Sequence, residues 1–246
     1  MERIPRIIGH RGSPRAAPEN TLASFRRAAA DGVKCVEFDS ALTADRRAVI
    51  FHDDELDRTS DGAGLLAEAT FETVVTLDAG NWFGPAFAGE IIPTLEEALE
   101  LLGALGLQFN MELKTDQGRE AELARIALTI AMDCWPDARP APLVTSFSQT
   151  AVAAAKDIAP KWPRGLLFDR LPEDWTGLAK TLELKSLNGS HQHLTREQVM
   201  AVRGAGYAVM AYTVNEPARA ELLFDWGVDA IFTDIPGEMV KIFGAS

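Results

Sequence analysis

The stretch TREQVMAVRGAGYAVMAYTVNEPARAELLFDWGVDAIFTD, residues 195–234, alternates two helix patterns with two strand patterns. Residues 195–206 open on a threonine, carry apolar residues at helical spacing and close on a glycine, the cap chemistry of an amphipathic helix. YAVMAYT (207–213) is a short apolar run of strand type, EPARAELLFDWG (216–227) repeats the helix pattern, and AIFTD (230–234) repeats the strand. Apolar strands separated by helices imply a parallel sheet.

Working outward, the same alternation fills almost the whole chain. Strand patterns stand at RIIG (6–9), CVEFD (35–39), FNMEL (109–113), LVTSF (143–147), GLLF (165–168) and KSLNG (185–189). Helix patterns stand between them at 21–32, 94–106, 119–132 and 148–158. Eight strand–helix units in 246 residues fit a TIM-type (β/α)8 barrel better than a doubly wound sheet. One region breaks the rhythm. After CVEFD, the segment ADRR (44–47) reads as a turn and AVIF (48–51) as an antiparallel partner strand. Residues 53–92 then read as a loop-rich insertion after the second strand, with glycines, prolines and aromatics. No repeat, linker or low-complexity tract interrupts the rest, so residues 1–246 are expected to form a single domain.

Composition bounds the function. With 47% hydrophobic and 24% charged residues the chain can bury a sizeable core. A formal net charge of −12 argues against nucleic acid or an anionic membrane surface as the main partner. Two isolated cysteines, Cys35 and Cys134, give neither metal spacing nor a disulfide framework. There is no secretory h-region and no run of the roughly 20 apolar residues that a membrane helix needs. A reduced, cytoplasmic protein is the expectation, and no membrane insertion; the sequence does not give the oligomeric state.

The chemistry gathers at strand ends. Glu37 and Asp39 stand two apart in a strand and so share a face, and Glu112 and Lys114 repeat that spacing. In a (β/α)8 barrel such C-terminal strand ends converge on one mouth. Three carboxylates there make an oxygen-rich site for a hard cation such as Mg²⁺ or Ca²⁺. His10 follows the first strand and His52 follows AVIF, placed to act as a general acid and base pair. Arg11 and Lys114 are the candidate phosphate grips, one a planar fork and one a point charge. Glu19 could hold His10 or Arg11 in place. Asp53 could orient an imidazole or merely begin the insertion. His191 and His193 lie after the sixth strand, and His191 fits a pocket rim or, at least as well, a surface loop.

The ordered set HRG, PENT, EFD, HDD, DRTS, MELK, YTVN and GVDAIFTD, spread over about residues 6–236, resembles the glycerophosphodiester phosphodiesterase family, in particular its compact cytoplasmic bacterial members. That resemblance implies a TIM-type barrel and metal-dependent hydrolysis of a small glycerophosphodiester to sn-glycerol 3-phosphate and an alcohol. It implies His10 and His52 as the acid–base pair, Glu37, Asp39 and Glu112 as holders of a divalent cation, and Arg11 and Lys114 as phosphate ligands. Tyr212 departs from the family's usual tryptophan in the YTVN motif. Two other readings stay open: a phospholipase C or D type enzyme on the same barrel, with Trp82, Phe83 and Phe87 as apolar rim, and a non-catalytic phosphodiester-binding barrel.

Overall fold

Strand Cys35–Leu42 (β2) shows how this sequence builds its sheet. Val36 and Phe38 face outward into an apolar layer shared with helices, while Glu37 and Asp39 take the opposite, inward face. Phe38 packs 5.4 Å from the ring of Phe109 and 6.0 Å from that of Phe25. Phe109 in turn meets Trp135 edge-on at 4.8 Å. Each such side chain removed from water contributes roughly 1.5–3 kcal/mol, so the outward layer holds the helices against the barrel.

The computed structural model describes residues 4–115 and 118–245; the extreme residues of the expected 1–246 span lie outside them. Eight parallel strands close into a barrel: Ile7–Gly9 (β1), β2, Gln108–Leu113 (β4), Leu143–Ser146 (β5), Arg164–Phe168 (β6), Ser186–Ser190 (β7), Ala208–Tyr212 (β8) and Ala230–Thr233 (β9). Each pairs with the next in chain order, and β1 closes the ring by pairing with both β9 and β2. Ala48–Ile50 (β3) lies outside the ring as an antiparallel partner of β2, as AVIF suggests. That pairing carries β2 three residues beyond CVEFD, to Leu42.

Around the barrel run Leu22–Ala30 (α1), Leu95–Leu105 (α3), Glu120–Cys134 (α4), Gln149–Ile158 (α5), Trp175–Thr181 (α6), Arg196–Gly204 (α7), Pro217–Trp226 (α8) and Pro236–Phe243 (α9). Between β3 and α3 the insertion adds the single turn Phe71–Val74 (α2) and a small core of its own, which includes Phe51, Leu56, Leu66, Val74 and Ile92. Inside the barrel, Ile8, Cys35, Leu143, Met210, Ala230 and Phe232 form an apolar floor. Polar side chains stand in the layers above it, which positions the site. No helix among the described residues is long and apolar enough to cross a membrane.

Candidate active site

Register assembles the carboxylates. In the β2–β4 pairing Asp39 sits beside Glu112, and Glu37 beside Asn110 one layer deeper. The carboxylates of Glu37, Asp39 and Glu112 thereby bring ligand oxygens within 4.8 Å of one another. Lys114 continues the ladder by donating its amide N–H to the Ser40 carbonyl. Its Nζ donates to Glu112 Oε1 at 3.0 Å and lies 3.5 Å from Asp39 Oδ1.

His10, Arg11 and Gly12 turn the chain off the end of β1. The His10 amide still donates to Thr233, keeping the imidazole at the barrel mouth. Arg11 then adopts a left-handed conformation at φ 51°, which aims its N–H at Glu37 Oε2, 2.9 Å away. Gly12 follows at φ 91°, and a Cβ there would stand 2.4 Å from Ser24 Oγ. That hydroxyl accepts from the Ser13 amide and donates to the Arg11 carbonyl, so it cannot move without releasing the turn. Gly12→Ala is therefore expected to cost roughly 2–4 kcal/mol in urea unfolding, from left-handed strain plus overpacking. A change below about 0.5 kcal/mol would show that the turn yields freely.

The Arg11 guanidinium donates through Nη1 to Glu19 Oε1 at 2.7 Å, and its Nε lies 3.3 Å from Asp39 Oδ2. Asn20, held at φ 57°, donates from its side chain to the same Asp39 oxygen at 2.8 Å. On the other side of the mouth, the Phe51 amide donates to the Asp39 carbonyl, and the chain leaves this hairpin edge at His52.

Both imidazoles are held by carboxylates. His10 Nδ1 donates to Asp234 Oδ1 at 2.7 Å, and Asn215 donates to Asp234 Oδ2 at 2.7 Å. His52 Nδ1 donates to Asp53 Oδ1 at 2.5 Å. A carboxylate on Nδ1 fixes the tautomer and leaves Nε2 of each ring to exchange a proton. His10, Arg11, Glu37, His52, Asn110, Glu112 and Lys114 line one cavity of about 250 Å³. Its remaining wall is Phe147, Leu167, Tyr212, Thr213 and Phe232. Asp39 sits directly behind that lining, in contact with Arg11, Asn20 and Lys114. The structure thus gathers all seven residues that the sequence singles out. The later histidines lie apart, since His191 receives Arg219 and His193 lies 3.5 Å from Asp169. Trp82, Phe83 and Phe87 stack edge to face on one another within the insertion and do not line the cavity.

The electrostatics follow from burial. Burial, with the charges of Asp39 and Glu112, holds the Glu37 carboxyl well above the usual range. Burial and the neighbouring Asp39 push Glu112 up to about 7. Burial would raise Asp39 as well, but Lys114 and Arg11 outweigh it and hold that carboxyl well below the ordinary range. Burial lowers His52. The cluster is thus one ionised carboxylate between two reluctant ones, with Glu37 Oε1 buried and lacking a hydrogen-bond partner. An all-oxygen set short of positive charge fits a hard divalent cation, which would complete Glu37 and let the other carboxyls ionise.

Sequence reasoning missed three contributors. Asp234 and Asn215 come from the far end of the chain, although both lie in the motifs YTVN and GVDAIFTD. Arg58, in DRTS, donates to both Glu19 and Asp53.

The sequence and the fold have counterparts. The model of the glycerophosphoryl diester phosphodiesterase family matches residues 10–238. A glycerophosphodiester phosphodiesterase of Caldanaerobacter subterraneus subsp. tengcongensis is 33% identical over 241 residues, with 96% of each chain covered. Another from Bacillus subtilis is 29% identical, covering 96% of this chain and 85% of its own. An Oleispira antarctica phosphodiesterase, solved in complex with the product sn-glycerol-3-phosphate, superposes with a TM-score of 0.94 at 37% identity, covering 97% of this chain and 96% of its own.

Proposed function

The chain is an enzyme of the glycerophosphoryl diester phosphodiesterase family, and from that premise we propose that it hydrolyses small glycerophosphodiesters to sn-glycerol 3-phosphate and an alcohol. Glu37, Asp39 and Glu112 hold a divalent cation in this reading, and His10 and His52 move the protons. The observation that carries it is the single cavity onto which both imidazoles, the guanidinium of Arg11, the ammonium of Lys114 and two of the three clustered carboxylates open.

Arg11 and Lys114 flank the space beside the cluster and bind the phosphate, the first as a fork and the second as a point charge. The cation, when bound, neutralises charge that gathers on the non-bridging phosphate oxygens. One Nε2 takes the proton of the attacking hydroxyl as its oxygen bonds to phosphorus. The other delivers a proton to the leaving oxygen as its bond to phosphorus breaks. Asp234 and Asp53 keep each ring in the tautomer that this exchange requires.

Size supports a water-soluble substrate. The cavity of about 250 Å³ falls below the roughly 300–1,000 Å³ of drug-sized sites. Trp82, Phe83 and Phe87 of the insertion contact one another and lie outside the lining of this cavity. Purified protein given glycerophosphocholine, glycerophosphoethanolamine, glycerophosphoglycerol and glycerophosphoinositol with Mg²⁺ or Ca²⁺ is expected to release glycerol 3-phosphate. Phosphatidylcholine in vesicles is expected to be a poor substrate by comparison. A reversed order would favour a phospholipase, and binding without turnover would favour a non-catalytic barrel.

A further inference from the structure

Arg58 belongs to the insertion and lies outside the cavity lining, with about half of its side chain exposed. Both edges of its guanidinium are nonetheless engaged. Nε and Nη2 donate to the two oxygens of Asp53 at 2.5 and 2.9 Å, and Nη1 and Nη2 donate to the two oxygens of Glu19 at 2.9 and 2.7 Å. One nitrogen, Nη2, therefore serves both Glu19 Oε1 and Asp53 Oδ1. These same two oxygens accept from Arg11 Nη1 and from His52 Nδ1.

We infer that Arg58 is a positioning residue for the reaction, fixing the Arg11 guanidinium and the His52 imidazole in one mutual geometry through Glu19 and Asp53. Two separate segments meet at this fork: Glu19 from the loop between β1 and α1, and the start of the insertion after β3, which supplies both Asp53 and, five residues on, Arg58. Two carboxylates that share one donor nitrogen repel each other unless a cation stays between them. Without that cation Asp53, which is partly exposed, turns toward water and releases His52 Nδ1. Glu19, only 11% exposed, cannot follow into solvent, so its separation from Asp53 changes the pull on Arg11. Lysine offers a compact charge and no second edge, so it cannot hold both carboxylates in two-pronged contact. The insertion thus tunes the site without touching substrate.

This inference rests on the proposed function for its kinetic readout, and the test carries a second readout that does not. In Arg58→Ala, kcat on glycerophosphocholine is expected to fall about 10-fold or more, since small misplacements of reacting groups are that costly. The Kd for sn-glycerol 3-phosphate, measured by calorimetry, is expected to rise several-fold. Arg58→Lys should recover only part of each. Combining Arg58→Ala with Asp53→Asn should be little worse than the poorer single variant, because the two act as one unit. Separately, the ¹⁵N signals of the His52 ring should show protonated Nδ1 in the wild type and a tautomer mixture in Arg58→Ala. An arginine that only tethers the loop would lower Tm and leave kcat unchanged at temperatures where the variant is folded. Unchanged His52 ring signals, with kcat and Kd within twofold of wild type, would overturn the inference. A wild type that turns over no glycerophosphodiester sinks the proposed function instead, while the His52 signals still report on Arg58. If Arg58→Ala does not fold, Arg58→Gln, whose amide reaches one carboxylate, takes its place in every measurement.

Discussion

Chelation with EDTA reduces hydrolysis of glycerophosphocholine to background in the expected result, and Mg²⁺ or Ca²⁺ restores it. Neutralising charge on a phosphoryl oxygen is worth several kcal/mol, about 10²-fold or more in rate. Glu112→Ala is expected to lose activity to the same extent while keeping the fold, because Glu112 stands at a strand end above the apolar floor. The same geometry ties cation binding to pH. Glu112 titrates at about 7 instead of its ordinary 4.5, and Glu37 is raised as well, because burial and neighbouring charge disfavour their ionised forms. A carboxyl raised on folding stabilises the fold fully below its unfolded pKa, and that stability is lost as pH rises through the folded pKa. The chelated enzyme should therefore lose Tm between about pH 4.5 and pH 7. Over the same window the rise in Tm on adding Mg²⁺ should grow, since the deprotonated carboxylates are the ligands. Full turnover after exhaustive chelation would remove the cation from the mechanism. A Mg²⁺ effect on Tm that shrinks with rising pH would remove it from these carboxylates.

The barrel was legible because its signal is local and repeated. Most strands are short apolar runs, Thr, Ser or Asp caps the N-terminus of α1, α3, α5, α6 and α7, and closure follows from the number of units. Where local signal is weak the reading thins. α6 is seven residues long and carries Gly177, and α9 is eight residues long and opens on Pro236 and Gly237, so each gives only a short stretch in which a helix can be read. The gathering of Glu37, Asp39 and Glu112 could be anticipated because spacing by two sets the face and the barrel sets the end. The partners of the imidazoles could not. His10 meets Asp234 across 224 residues of sequence, and Glu19 meets Arg58 across 39. Only ring closure by β1 and β9 makes the first contact, and only the path of the insertion makes the second. No spacing rule reaches that far. Asp53 is adjacent to His52, yet adjacency alone did not distinguish an orienting carboxylate from the start of a loop.

The two imidazoles give the other large expected effect. His10→Ala and His52→Ala should each lower kcat on glycerophosphocholine by at least about 10²-fold. The double variant should be little worse than the poorer single one, because groups that pass protons through one transition state act as a unit. His191→Ala and His193→Ala should stay within about 10-fold, as one polar contact is worth roughly 1 kcal/mol. The pH profile of kcat/KM should be bell-shaped, with two apparent values belonging to the pair. Burial holds His52 below its ordinary value, so the limb that His52 governs should lie on the acid side of the unperturbed imidazole range. The supporting carboxylates differ in a way that sharpens the test. Asp234 is backed by the neutral amide of Asn215, whereas Asp53 is backed by the guanidinium of Arg58. Both oxygens of Asp234 and of Asp53 already accept, and Asp234→Asn and Asp53→Asn each replace one of them by an NH2 donor. Either change therefore sets donor against donor and should cost rate by loosening the ring or its tautomer. A nitrophenyl ester, whose leaving group needs no proton, should rescue only the variant that lacks the general acid. Rescue of one single variant and not the other assigns the roles directly: the rescued histidine is the acid, and its partner draws the proton from the attacking hydroxyl. If both single variants keep near wild-type rates on glycerophosphocholine, the protons travel by another route and the paired carboxylates serve only to hold the rings.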